Sequence, residues 1–326
     1  MNNLPLVSIL INNYTYGRFL RAAIDSALTQ TYSAVEVVVV DDGSTDNSKS
    51  IIKRYGDSIT AVCKANQGQA SSFNEGFKHC TGDIICFLDA DDVFVPRKIE
   101  QIVSCFVQQP EIGWCFHTLQ LQDVRSGKSL GVTKGFPGEG CDRTQPCDFR
   151  DNIRAGNLPF YPVATSGLCF RRSLAEQILP MPLTFAKTSA DRYLRAVCVG
   201  LAPGYFLAEP LTIQGIHGSN VSTMRKDRPF IPERQIVTAY LLRTQFPTFS
   251  RYANRLFSRG LNAYMALKEK SAAIETTAIE TSTIEPEYTE MIRDYWQLCS
   301  ISERLLIGCI RLYHRRPWRT AYTHSN

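Results

Sequence analysis

Three carboxylates, Asp89, Asp91 and Asp92, stand within four positions at the end of the apolar run Ile84 to Leu88, in the stretch "IICFLDADDVF". Such a run reads as a buried strand. Carboxylates crowded at its end repel one another unless solvent or a cation intervenes. The i, i+2 spacing suits a divalent cation such as Mg²⁺, which takes one or two carboxylates and completes its shell with water and substrate phosphates. A second acidic pair, Asp41 and Asp42, ends the run Val35 to Val40 about fifty residues earlier. There Asp42 offers an acceptor for a base or ribose N–H or O–H, and a nucleoside diphosphate joined to a metal would span both turns. The rival reading is a solvated helix cap, since Asp92 stands near the start of the next helix. An EF-hand is not expected, because the Gly and the closing Glu of that loop are missing.

The elements that must position these acids alternate along the chain. Val7 to Ile11, Val35 to Val40, Ile59 to Cys63 and Ile84 to Leu88 read as strands. Between and after them, Arg18 to Thr31, a stretch to Tyr55 capped by Ser44 or Thr45, Ala70 to Cys80 and Arg97 to Gln109 read as helices. The run "VEVVVV" has the continuous β-branched character of a strand buried on both faces of a parallel sheet. Strand and helix alternation at this spacing predicts a Rossmann-like, doubly wound, mostly parallel α/β sheet. Ligands of such sheets bind beyond the carboxyl ends of the strands, where both acidic turns fall. After Ile112 to Leu121 the order weakens, and Asp123 to Pro146 reads as an irregular loop. Signals return from Ala164 to Glu209, so one catalytic domain is expected over 1–224. A helical extension over 225–326 follows, with helices at Ile231 to Lys270 and Glu287 to Tyr313 and a Thr/Ile/Glu low-complexity segment near 271–286.

Composition narrows the class further. With 44% hydrophobic and 21% charged residues the chain reads as a folded globular protein rather than a disordered one. Its formal net charge is +5. Five Arg and one Glu between Ser300 and Asn326 supply +4 of that, leaving +1 for the rest. No basic stripe is therefore expected on the folded surface, and no nucleic acid as partner. Eleven cysteines without a CxxC pair imply neither a zinc site nor a disulfide framework. The N-terminus "MNNLPLVSILI" lacks the charged region of a signal peptide, and no run reaches the length of a membrane span, so the cytoplasm is the expected compartment.

In order along the chain, "VSILINNYTYGRFLRAAIDSALTQTY", "VEVVVVDDGSTDNS", "NQGQASSFNEGF", "GDIICFLDADD" and "IHGSNVS" resemble the family 2 glycosyltransferases, which have the GT-A fold. The resemblance covers roughly Pro5 to Met224. It implies metal-dependent transfer of a sugar, with inversion, from a nucleotide-diphospho-sugar, UDP foremost, to a hydroxyl of a sugar or lipid-linked acceptor in polysaccharide, cell-wall or glycolipid synthesis. It implies Mg²⁺ or Mn²⁺ as cofactor. Carried over to this sequence, it places Asp42 at the nucleobase, with Asn12 and Tyr14 lining the same pocket and Asp89 near the ribose. Asn66 and Gly68 border the donor, Asp91 binds the metal, and His217 closes over the metal or diphosphate. Asp191 of "SADRYLRAVCVG" becomes the general base for the acceptor hydroxyl.

Two positions depart from the family pattern. Ala190 stands where a Glu is usual before Asp191, and Gln214-Gly215 where Tyr-Arg usually precedes the His217 loop. They keep a catalytically silent nucleotide-sugar-binding or scaffold protein as the alternative. A Rossmann dehydrogenase is disfavoured, because "NNYTYG" after the first strand is not G-x-G-x-x-G. The apolar stretch from Ile301 to Tyr313, followed by Arg315, Arg316 and Arg319, suggests peripheral contact of residues 300–319 with the inner face of an anionic membrane.

Overall fold

A computed structural model describes residues 4–133, 143–158, 163–183, 190–218, 220, 232–274 and 286–314. Most of the low-complexity segment, and Arg315 to Arg319, lie outside them. The described residues form two compact units. The first holds those up to Asn152, from Leu158 to 183 and from Ala190 to 220. The second holds Ile153–Asn157 and those from Pro232 onward.

The first unit opens with the expected alternation: β1 (Val7–Asn13), α1 (Gly17–Leu28), β2 (Val35–Asp42), α2 (Ser48–Lys53), β3 (Thr60–Lys64), α3 (Gln69–His79) and β4 (Ile84–Asp89). A short β5 (Asp92–Phe94) and α4 (Lys98–Gln108) follow. Then come β6 (Trp114–Asp123), β7 (Ser129–Val132), β8 (Gln145–Cys147), α5 (Arg150–Arg154), β9 (Leu168–Arg171), α6 (Arg172–Ile178), α7 (Ala190–Leu201) and β10 (Gly204–Ile216). One sheet runs in the order β3-β2-β1-β4-β9-β6-β10-β5, with β7 on β6 and β8 on β10. The β1–β2, β1–β4, β2–β3 and β6–β10 pairs are parallel. Alternate residues of β4 serve the two faces of this sheet. Ile84, Cys86 and Leu88 enter a core with Ile9, Ile24, Val39 and Ile102. On the other face Phe87 meets Phe73 and Phe170 edge-on at 5.0 and 5.4 Å.

Several local expectations are corrected. The span Asp123 to Pro146 is not wholly irregular, since β7 and β8 add antiparallel pairs to β6 and β10. Ser44 does not cap α2; its hydroxyl accepts from Asn13 Nδ2 and Thr15 N at 3.1 and 2.8 Å and so fastens the end of β1 to the turn after β2.

The second unit contains α8 (Pro232–Gln245), α9 (Ser250–Ile274), α10 (Pro286–Leu298) and α11 (Ile301–His314). Pro247 interrupts the first expected helix between α8 and α9. The second breaks at Ser300, where a reciprocal capping box starts α11. Ser300 N donates to Glu303 Oε2 at 2.9 Å and Glu303 N to Ser300 Oγ at 3.3 Å. Arg243 grips the same Glu303 at 2.6 and 2.9 Å, which lowers its carboxyl to about 2. No described helix is long and apolar enough to cross a membrane.

Candidate active site

The register of the parallel strands brings the acidic turns together. β1 lies between β2 and β4, with Asn12 opposite Asp89 and Asn13 opposite Asp41, so all three strands end at one edge. Asp41 closes its own turn, accepting from Asn13 Nδ2 at 2.8 Å and Ser44 N at 3.1 Å. Asp42 reaches across to the loop before α3. It accepts from Gln67 N at 3.0 Å through Oδ1 and from Gly68 N at 2.7 Å through Oδ2, and Lys64 Nζ also donates to Oδ1. Gly68 meets that carboxylate with φ +86°, a backbone state that glycine adopts freely. Asn66 Oδ1 accepts from the same Gly68 N–H at 3.2 Å. A carboxylate offers about four lone-pair sites, so one acceptor position of Asp42 remains, on Oδ2. Tyr14 is exposed at this edge, and the buried Oδ1 of Asn12 has no hydrogen-bond partner among the described residues.

The second acidic turn splits its three carboxylates between depths. Asp92 is the deepest, at 1% exposure, and it is not a helix cap, because α4 begins only at Lys98. Ser166 Oγ donates to Asp92 Oδ2 at 2.6 Å and accepts from Asp89 N at 3.0 Å, while Gly215 N donates to Asp92 Oδ1 at 3.2 Å. Below them the fully buried Lys98 donates to Ser166 O at 2.7 Å and stands 3.3 Å from the Phe94 ring centroid. Burial pushes the Lys98 ammonium down, whereas burial and the charges of Asp91 and Asp89 push Asp92 well above the carboxylate range.

Asp91 turns the other way, toward β10. The antiparallel pairing of Gln214 with Asp92 delivers the following loop to it. Asp91 Oδ2 is 3.0 Å from His217 Nε2 and 3.3 Å from Asn220 Nδ2. The loop is closed on itself, since Asn220 Oδ1 accepts from His217 N at 2.5 Å and Asn220 Nδ2 donates to Gly215 O at 2.8 Å. Gly215 is required by contact, because a Cβ there would lie 2.5 Å from Asp91 O. The far nitrogen of the imidazole, Nδ1, is 3.4 Å from Arg18 Nη2. A guanidinium can only donate, so Nδ1 accepts and the ring proton on Nε2 faces Asp91. Burial raises the Asp91 carboxyl against the lowering effect of His217.

Asp89, between these groups, is held up at about 7 by burial first, then by Asp91 and Asp191. Asp191 lies in the first turn of α7, and its charge is felt at Asp89. Its Oδ2 is ion-paired with Arg195 Nη1 at 2.8 Å, and its side chain keeps 30% of its surface exposed. Ala190 beside it is completely buried, so a charged side chain in its place would carry a desolvation cost.

The donor set fits a divalent cation shared with a ligand. No group of three His, Cys, Asp or Glu side chains gathers among the described residues. The Asp91 carboxylate of the β4–β5 turn and the His217 imidazole after β10 nevertheless meet at 3.0 Å, and the raised Asp89 and Asp92 mark a site short of positive charge. Asp91 would serve as one protein ligand for Mg²⁺ or Mn²⁺ and His217 Nε2, once it gives up its proton, as a second, with phosphate and water completing the shell.

A parallel sheet with acids at its carboxyl edge, one of them held by an imidazole from a later strand, defines the class, a GT-A type glycosyltransferase domain. The chain belongs to glycosyl transferase family 2, whose model matches residues 8–178. It is 35% identical over 223 residues to an uncharacterized glycosyltransferase of Nostoc sp., covering 66% of each chain. With an uncharacterized glycosyltransferase of Rickettsia typhi it shares 44% identity over 100 residues, 31% of each. The chain thus spans from under a third to about two thirds of the length of these relatives. Among solved structures, S. aureus TarS 1-349 in complex with UDP-GlcNAc is similar with a TM-score of 0.62 at 14% identity, over 94% of this chain and 87% of that one. At that identity the likeness concerns the fold.

The structure brings Asn12, Asp42, Asn66, Gly68, Asp89, Asp91, Asp191 and His217 to one edge of the sheet or its bordering loops, with Tyr14 exposed beside them. Sequence reasoning missed Arg18, Lys98, Ser166 and Asn220. Asn220 stood inside the quoted "IHGSNVS" and had a readable signal, an Asn three residues after a turn histidine. Ser166 and Lys98 had none, because only the folded sheet brings them beneath Asp92.

Proposed function

We propose that this chain transfers a sugar from a nucleotide-diphospho-sugar to an acceptor hydroxyl, with a divalent cation and with inversion at the anomeric carbon. The observation that carries the reading is the Asp91–His217 contact of 3.0 Å, made between two strands at the edge where Asp42 and Asn12 also face. The remaining acceptor position of Asp42 takes a base N–H, and the unpartnered Asn12 Oδ1 takes a second donor from the nucleoside. Tyr14 covers the base, Asn66 and Gly68 border it, and Asp89 accepts from the ribose. Asp91 and His217 hold Mg²⁺ or Mn²⁺, which supplies positive charge to the diphosphate as it leaves.

The chemical step is a single displacement. The acceptor oxygen bonds to the anomeric carbon as the bond to the diphosphate oxygen breaks, and that oxygen keeps the electron pair. The acceptor proton passes to the Asp191 carboxylate, which Arg195 holds at 2.8 Å in the first turn of α7. Inversion follows because base and leaving group flank the carbon from opposite sides.

The acceptor is proposed to be a sugar or a lipid-linked saccharide at the cytoplasmic face of a membrane. Supporting this, Ile301, Leu305 and Leu306 on α11 are exposed at 78%, 67% and 50%. The arginines that would meet anionic headgroups continue beyond the described residues. A screen of UDP- and GDP-sugars for nucleoside diphosphate release, with Mn²⁺, Mg²⁺ or EDTA, tests the function. Metal-dependent release from one donor is expected. Nucleotide binding without release or transfer, for every donor and acceptor tried, would favour the silent binder instead.

A further inference from the structure

His217 is gripped on its outer side as firmly as on its inner one. Its ring stacks on Phe19 at 4.5 Å with 27° between planes, and the Tyr16 ring is tilted toward it at 5.6 Å. The Arg18 guanidinium lies 4.4 Å from the centroid of that same Phe19 and 3.4 Å from His217 Nδ1. Three consecutive-turn residues of one short segment, Tyr16, Arg18 and Phe19, therefore cradle the histidine that meets Asp91. Arg18 itself stays exposed at the mouth of the site. The start of α1 is held in place here, since Gly17 N donates to Asp46 Oδ2 at 2.8 Å.

Among the described residues, Gln214 to Gly218 and Asn220 place no lysine or arginine at the entrance of the His217 loop. A side chain at position 215 is excluded by Asp91 O, and Gln214 is neutral and 7% exposed. The guanidinium nearest to Asp91 and His217 in the described contacts comes instead from α1, the helix that follows the first strand. Guanidinium is planar, permanently charged and matched to two phosphate oxygens at once. Stacking on Phe19 limits its rotamers before any ligand arrives, which reduces the ordering cost of binding.

We propose that Arg18 is a phosphate-contacting residue of this site, supplying from α1 a fixed cation for the diphosphate that acts alongside the divalent metal. This rests on the nucleotide-sugar reading above. A phosphate between Asp91 and the sugar lies beside His217, hence within reach of the guanidinium that touches His217 from the other side. Arg18 then leaves Nδ1 for the phosphate, and the metal and the guanidinium each bind the anion without needing the other.

Binding of UDP, GDP and their nucleosides, measured calorimetrically in Mn²⁺ and in EDTA, tests the assignment with Arg18→Gln, Arg18→Lys and Arg21→Gln. Arg21 lies one turn further along α1, exposed and paired with Asp25, and serves as the equal-charge control. Arg18→Gln should weaken the diphosphate about 10- to 100-fold, the range for a charge-assisted contact, in both Mn²⁺ and EDTA. Nucleoside affinity should not change, Arg18→Lys should recover part of the loss, and Arg21→Gln should match the wild type. Unchanged diphosphate affinity in Arg18→Gln overturns the proposal, as does an equal loss for the nucleoside. A loss seen only in Mn²⁺ also overturns it, because Arg18 would then act through His217. A wild-type chain that binds neither nucleoside diphosphate overturns the nucleotide-sugar reading itself, a result distinguishable from the others.

Discussion

Asp89→Asn should make the metal-free protein more stable at pH 8 and leave it nearly unchanged at about pH 4. The Asp89 carboxyl titrates at about 7 in the folded chain, against an ordinary value of 3.8. An acid whose pKa rises on folding binds more protons folded than unfolded between those two values. Stability is then greatest at low pH and is lost as pH climbs from about 4 to about 7. The gap of roughly three units, at about 1.4 kcal/mol each, sets an upper bound of about 4 kcal/mol. Asp91 and Asp92 share the same field, so the part belonging to Asp89 alone is smaller than this bound. Asn keeps the shape and the contact with Gln69 without carrying charge, and so removes this cost. Melting curves in EDTA at about pH 4 and pH 8 read the effect directly. The mutant should melt several degrees above the wild type at pH 8, with the difference closing toward about pH 4. An equal difference at both pH values would mean that Asp89 ionises normally and that the edge is not short of positive charge.

Asp191→Asn should cut sugar transfer by roughly 10²–10⁴-fold, the contribution of a positioned base, while leaving nucleotide affinity intact; near-normal turnover would move the base elsewhere. Gly215→Ala should lower stability by about 1–3 kcal/mol and weaken Mn²⁺ binding, since its methyl meets the Asp91 carbonyl at 2.5 Å and displaces the acidic turn; wild-type melting and metal affinity would contradict that contact. Removal of residues 300–326 should abolish sedimentation with phosphatidylglycerol vesicles, and equal binding of both forms would end the membrane proposal.

The first half of this fold was legible because its signals are local. The run "VEVVVV" is buried because it is the second of four adjacent parallel strands, and the turn after it is acidic at the sheet edge where the other acids gather. The later elements were harder. β7 and β8 are four and three residues long, too short to show a periodicity, and they are defined by their antiparallel pairing with β6 and β10. The break before α11 was readable in principle as Ser300-x-x-Glu303, but a continuous helical pattern across it hid the capping box. In the acidic turn the sequence could place three carboxylates but not tell them apart. Asp92 reads as a cap by position, and only the distant Ser166, Gly215 and Lys98 turn it inward.

Those distant partners explain how one turn holds three acids that differ so much in role. Three carboxylates of this edge are matched to a cation, Asp42 to Lys64 of β3 and Asp191 to Arg195 one turn along α7 directly, and Asp92 to Lys98 through Ser166. Asp91 has the imidazole of His217, backed by Arg18. Asp89 has no ion-pair partner among the described residues, only neutral ones such as the amide of Gln69 at 3.3 Å and the side chains of Asn12 and Thr165, and it is held near neutral pH at about 7. Charge at Asp91 therefore opposes charge at Asp89 until a cation arrives to offset both. A divalent ion entering with a diphosphate would relieve that opposition, so ligand and metal should bind more tightly together than either does alone.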